Sequence, residues 1–263
     1  MKEWEILEEE CLNYLKNKYP SIKFTLIGKE DSTKSDILVK TINLEFYIEV
    51  KSKISQCGQF VLIPNYKNNV FIYSSRNKTP IFEQTKDIIN YMNFNFSKFA
   101  NPTTAPLEIN LKESILTNWV INYYESKKVK FMITKTFNNY LLFPLKKLNN
   151  YFFVKCFYRI KKSGSTNASI FSKNDLLTWW KFSNEGEFII EGKSLYFYTN
   201  KNVQKQKIKT INDTYLLNKI SNNKYEIRKL SKTFNANVIF QIKLKNEKQL
   251  IDDLNEFEQI INN

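Results

Sequence analysis

Trp4, Leu7, Cys11 and Leu15 stand three or four residues apart between polar neighbours, and Pro20 follows the run, so a first helix with one buried face is predicted from Lys2 to about Lys18. Ile22 to Ile27 reads as a strand closed by the polar turn Gly28-Lys29-Glu30-Asp31-Ser32, and Ser35–Lys40 and Glu45–Lys51 follow as two more strands. Ser55 to Gln59 is polar and contains Gly58, which predicts a break. Val70 to Ser74 is a compact strand, and Pro80 opens a helix through Tyr91.

Phe99 to Pro106 carries two prolines and no periodicity, and a domain boundary is expected there. Beyond it, Glu113 to Tyr124 is helical in pattern. The runs Val129–Thr134, Tyr140–Phe143, Tyr151–Ile160, Glu187–Ile190 and Ser194–Tyr198 are β-like. Asn200 to Thr210 is Lys-rich and reads as a solvated loop. Leu250, Leu254, Phe257 and Ile261 form the stripe of a last helix, expected to pack within the same chain. The fold class is therefore mixed α/β: residues 1–100 as a central mixed β-sheet flanked by helices, and residues 101–263 as a β-rich second part ending in a helix, or the two as one continuous fold.

Composition changes this picture in three ways. Apolar residues make up 42% of the 263, enough for one large core or two modest ones, yet no run approaches the ~18 apolar residues of a membrane span. The acidic, amphipathic start MKEWEILEEE differs from a secretory signal, so a cytoplasmic protein away from membranes is expected. Cys11, Cys57 and Cys156 are scattered and odd in number, which suits reduced thiols better than a disulfide framework or zinc ribbon.

Histidine is absent, which excludes a His general base, a Ser-His-Asp triad and imidazole metal sites. The formal charge is +14, and residues 101–263 hold +12 of it. Such an excess suits an anionic partner, nucleic acid first. Only three of the 40 basic residues are Arg, however, and abundant Lys, Asn and Ile also follow from an AT-rich coding sequence.

The stretch SDILVKTINLEFYIEVKSK holds the most informative chemistry. Alternation along a strand puts Glu49 and Lys51 on one face and Ile48 and Val50 on the other. A turn at Ile42-Asn43 sets Lys40 opposite Glu45, Val39 opposite Phe46, Ile37 opposite Ile48 and Asp36 opposite Glu49; a shift of one residue breaks that pairing. Two adjacent carboxylates favour a hard divalent cation between them, and a neighbouring lysine helps to orient water and offset charge on phosphorus. The alternative is a charged outer face of an edge strand.

Asp36 followed after twelve residues by Glu49-Val50-Lys51, on adjacent strands behind an amino-terminal helix, resembles the PD-(D/E)XK nuclease superfamily, best known among type II restriction endonucleases. The resemblance covers about residues 1 to 95. It implies a restriction-endonuclease-like core, with Asp36 and Glu49 as metal-binding acids for Mg²⁺ (Mn²⁺ substituting) and Lys51 as the motif lysine. It also implies catalytic parts for Glu8 on the first helix and Gln59 after the lysine. Ser35 stands where many members have proline.

The implied activity is Mg²⁺-dependent hydrolysis of double-stranded DNA to 5′-phosphate ends. A repair or phage-defence nuclease of the same superfamily and a non-catalytic DNA-binding protein are the alternatives. Lys53, Arg159, Lys161, Lys162, Ser163, Ser165 and Asn167 are the expected DNA contacts; Arg159 to Asn167 reads either as a loop that enters a groove or as a tight Gly turn with exposed lysines. Trp179, Trp180 and Phe182 are expected in the core. A palindromic target would be met economically by a homodimer.

Overall fold

A computed structural model describes residues 3–27, 35–137, 139–161, 165–177, 186–231 and 236–262. The chain divides into two units, Met1–Arg159 with Ala236–Asn263, and Ile160–Asn235. Trp179, Trp180, Phe182, Lys162 and Ser163 lie outside the described residues.

In the first unit, α1 (Glu3–Lys18) is followed by β1 (Lys23–Leu26), β2 (Ile37–Lys40) and β3 (Glu45–Val50). Leu7, Cys11 and Leu15 turn towards the sheet, while Trp4 is half exposed and leaves the predicted stripe. β1, β2 and β3 pair antiparallel in sequence. β3 then pairs in parallel with β7 (Val129–Lys135), which pairs antiparallel with β8 (Tyr140–Pro144). The resulting sheet, in the order β1-β2-β3-β7-β8, is mixed, as the sequence predicts.

The parallel β3–β7 pair is why Phe99–Pro106 does not divide compact units. A parallel connection needs a crossover, and residues 51–128 form it, so sequence on both sides of the prolines builds one sheet. That crossover contains β4 (Ile54–Asn65), β5 (Val70–Tyr73), α2 (Glu83–Phe94), α3 (Phe96–Phe99), β6 (Leu107–Glu108) and α4 (Glu113–Glu125). After β8 come α5 (Leu148–Tyr151) and β9 (Phe152–Ile160). A second sheet runs β5-β4-β16-β9-β6, with β16 (Ala236–Leu244) contributed from beyond the second unit.

The polar segment Ser55–Gln59, expected as a break, lies inside β4. Buried Cys57, Phe60 and Leu62 give the strand its inner face, and Gly58, at φ +140°, sits where the register against β16 shifts. Trp119 of α4 closes on this bulge. It stacks on Phe240 with ring centroids 3.8 Å apart, and its indole N–H donates to Thr85 Oγ1 at 2.9 Å.

The last helix, α6 (Ile251–Asn262), packs on the first sheet through Phe257 and Ile261, which join Phe46 and Phe131 in its core. In the second unit, β10 (Ser165–Asn167), β11 (Glu187–Glu191), β12 (Ser194–Tyr198), β13 (Lys207–Lys209), β14 (Thr214–Lys219) and β15 (Lys224–Leu230) form a sheet of their own. Its core is Leu195, Phe197, Ile208, Tyr215, Leu217, Tyr225 and Ile227. The Lys-rich segment expected as loop thus supplies a short strand, because Ile208 has a buried face to fill.

Candidate active site

The β2–β3 hairpin turns at Ile42-Asn43. Thr41 fixes this turn: its N–H donates to Leu44 O at 2.9 Å, and its hydroxyl accepts from the N–H groups of Asn43 and Leu44 at 3.3 and 3.0 Å. Lys40 then faces Glu45 as an ion pair at 2.8 Å, Val39 faces Phe46, and Ile37 faces Ile48.

Continuing that register one step brings Asp36 to Glu49. Asp36 Oδ2 accepts the backbone N–H of Val50 at 2.8 Å, and its carbonyl accepts from Ile27 at 2.8 Å. Ile48 and Val50 point into the core of the first sheet. Glu49, 6% exposed, faces the other way. Lys51 Nζ donates to Glu49 Oε1 at 2.5 Å, and its own N–H is tied to Ile133 O on β7 at 3.0 Å. Asp36, Glu49 and Lys51 therefore meet at one end of the hairpin.

The electrostatics are those of two acids crowded out of water. Burial and then the charge of Glu49 push Asp36 up to about 7, against the pull of Lys51 and of the Val50 hydrogen bond. Burial lowers the Lys51 pKa, but Glu49 and Asp36 outweigh it and leave it raised, so the ammonium is held protonated. Glu8, buried on α1, is near enough for its charge to raise Asp36 further.

Among the described residues no group of three or more Cys, Asp or Glu is arranged to enclose a metal ion. Two carboxylates suit Mg²⁺, which keeps several of its waters and is often bound through one or two acids. The strained pair fits such an ion: a dication beside Asp36 and Glu49 would relieve the repulsion that raises Asp36. Asp36 and Glu49 are the residues that would hold it.

Two neighbours escape a reading of spacing alone. Tyr124, at the end of α4, lies under Lys51 with its ring centroid 5.6 Å from Nζ. Cys57 of β4 is close enough for Lys51 and Glu49 to act on its thiol, which burial pushes up to about 12. Both arrive through the parallel β3–β7 crossover, and no local pattern signals that. Gln59 is not drawn to the trio by any described hydrogen bond; its Oε1 accepts from Gln56 Nε2 at 2.8 Å along β4.

The expected DNA contacts fall in both units. Lys53 Nζ pairs with Glu247 at 2.6 Å. Arg159 ends the first unit, and Lys161, Ser165 and Asn167 belong to the second. Ser165–Asn167, expected within a loop, is the strand β10, paired antiparallel with β15. Their side chains hold Arg228: its Nε donates to Ser165 Oγ at 3.1 Å, and another guanidinium N–H donates to Asn167 Oδ1. These two side chains, expected to meet DNA, thus brace an arginine of the neighbouring strand.

A mixed sheet that gathers two acids and a lysine at the end of its central hairpin is a restriction-endonuclease-like fold. A solved structure of HhaI endonuclease in complex with DNA superposes with a TM-score of 0.83, is 39% identical and covers 100% of each chain. At that identity and coverage the chain belongs to the HhaI endonuclease family. No protein-family model matches the chain, and no curated protein matches it significantly.

Proposed function

We propose that the protein is a type II site-specific endodeoxyribonuclease that hydrolyses phosphodiester bonds of double-stranded DNA with Mg²⁺. The observation that carries this reading is the meeting of Asp36, Glu49 and Lys51 at one end of the β2–β3 hairpin. Full-length likeness to an endonuclease bound to DNA supports it, as does the charge of +12 on residues 101–263.

In this reading Asp36 and Glu49 hold the metal, which, when bound, supplies Lewis-acid polarisation of the phosphate and a more acidic bound water. Lys51, kept protonated by its acidic neighbours, hydrogen-bonds the attacking water or a phosphate oxygen and offsets charge that builds at phosphorus. Water oxygen bonds to phosphorus, the bond from phosphorus to the 3′ oxygen breaks, and the products are a 5′-phosphate and a 3′-hydroxyl. Glu8 adds negative charge behind Asp36 and raises the pull on a cation. Lys53 and Lys161 are proposed to contact phosphates, and Arg159 guanine edges.

Incubation of the purified protein with a sequenced plasmid and Mg²⁺, followed by mapping of the ends, tests the proposal. Discrete fragments with 5′-phosphates, absent in EDTA, are expected. Smeared or structure-dependent products point to a repair-type nuclease, and binding without strand breakage overturns the enzymatic reading.

A further inference from the structure

Lys51 is bounded by groups from two elements. Glu49 of its own strand takes one N–H at 2.5 Å, and the ring of Tyr124 from α4 lies 5.6 Å from the ammonium. A cation within about 6 Å of a ring centroid is attracted by the negative face of the ring, most strongly where water is excluded. Tyr124 is 2% exposed. Its ring is fixed by the edge contact with Tyr123, centroids 5.0 Å apart, and Trp119 anchors the same helix on Phe240 and Thr85.

We infer that Tyr124 is a positioning residue that holds the Lys51 ammonium in place for catalysis; this rests on the proposed role of Lys51 in DNA hydrolysis. A lysine side chain has four rotatable bonds, and holding its ammonium in one place costs rotamer entropy. Glu49 alone would not supply the restraint throughout, because its carboxylate would be shared with a bound cation. The aromatic face carries no net charge and would not compete for the metal.

The test compares Tyr124→Phe, Tyr124→Leu and replacement of Tyr124 by 3,4,5-trifluorophenylalanine. Single-turnover cleavage of a duplex bearing the mapped site is measured in Mg²⁺, and duplex affinity is measured in Ca²⁺. Phe keeps the ring, so its cleavage rate stays within about threefold of the parent; Leu loses roughly 3- to 30-fold, the rate equivalent of a cation–π contact. The trifluoro ring, similar in size but with a weakened negative face, falls towards Leu, and duplex affinity stays level in all three.

Equal rates for Phe and the trifluoro ring overturn the inference even if Leu misfolds. So does a loss in Phe as large as in Leu, which assigns the effect to the hydroxyl. Tyr124 variants at full rate beside an inactive Lys51→Ala refute this inference alone, whereas a parent protein that does not cut refutes the reading beneath it.

Discussion

Asp36 Oδ2 accepts the backbone N–H of Val50 at 2.8 Å, a bond that crosses from the head of β2 to the end of β3 and seats one carboxylate beside that of Glu49. It pulls the Asp36 pKa down, yet burial and Glu49 prevail and hold it near 7. The consequence is a stability that depends on pH. Asp36 binds a proton more tightly folded than unfolded, where an aspartate titrates near 4. Its stabilising share is complete below about pH 4 and is lost as pH rises through about 7.

Asp36→Asn removes that buried charge and keeps an oxygen for Val50. In EDTA at pH 8 the variant is expected to be more stable by about 1–3 kcal/mol, and the gain should vanish near pH 4. Thermal melts across pH check this. Added Ca²⁺ should raise the melting temperature of the parent and leave the variant unchanged.

Gly58 carries the bulge on which α4 rests. A Cβ there would lie 2.7 Å from Trp119 Cζ3, and φ of +140° disfavours any L side chain. Gly58→Ala is expected to cost about 2–4 kcal/mol, seen as a lower denaturant midpoint with the m-value unchanged. Because Trp119 and Tyr124 share α4, cutting should weaken as well.

Asp253 of α6 is 1% exposed and receives the Tyr151 hydroxyl at 2.5 Å and Lys147 Nζ at 2.7 Å. Asp253→Ala strands that hydroxyl and should destabilise by about 3 kcal/mol, whereas Asp253→Asn, which keeps an acceptor, should recover part of it. Chemical denaturation of both variants decides.

The hairpin was legible because strand alternation and a two-residue turn determine a register by themselves, and Ile37 opposite Ile48 follows from that rule. Tyr124 and Cys57 were not legible. They reach the site through a parallel pairing across the crossover from Lys51 to Lys128, and local periodicity carries no record of which distant strands pair. The same cause misplaced the boundary at Phe99–Pro106. Ser55–Gln59 misled differently: Gln56 and Gln59 pair with each other along a strand whose inner face rests on Cys57 and on the aromatic packing around Gly58. Ser165 and Asn167 read as DNA contacts from sequence alone, because nothing local signals that the pairing of β10 with β15 delivers Arg228 to them.

Lys51, held against Glu49, is proposed to work in phosphodiester hydrolysis. The most direct test is single-turnover cleavage by Lys51→Ala beside the parent protein, with duplex affinity measured on the same samples in Ca²⁺. A fall in rate of at least about a hundredfold with affinity changed less than fivefold is predicted, as for loss of a group that stabilises the transition state. Cutting by Lys51→Ala at the parent rate would contradict it.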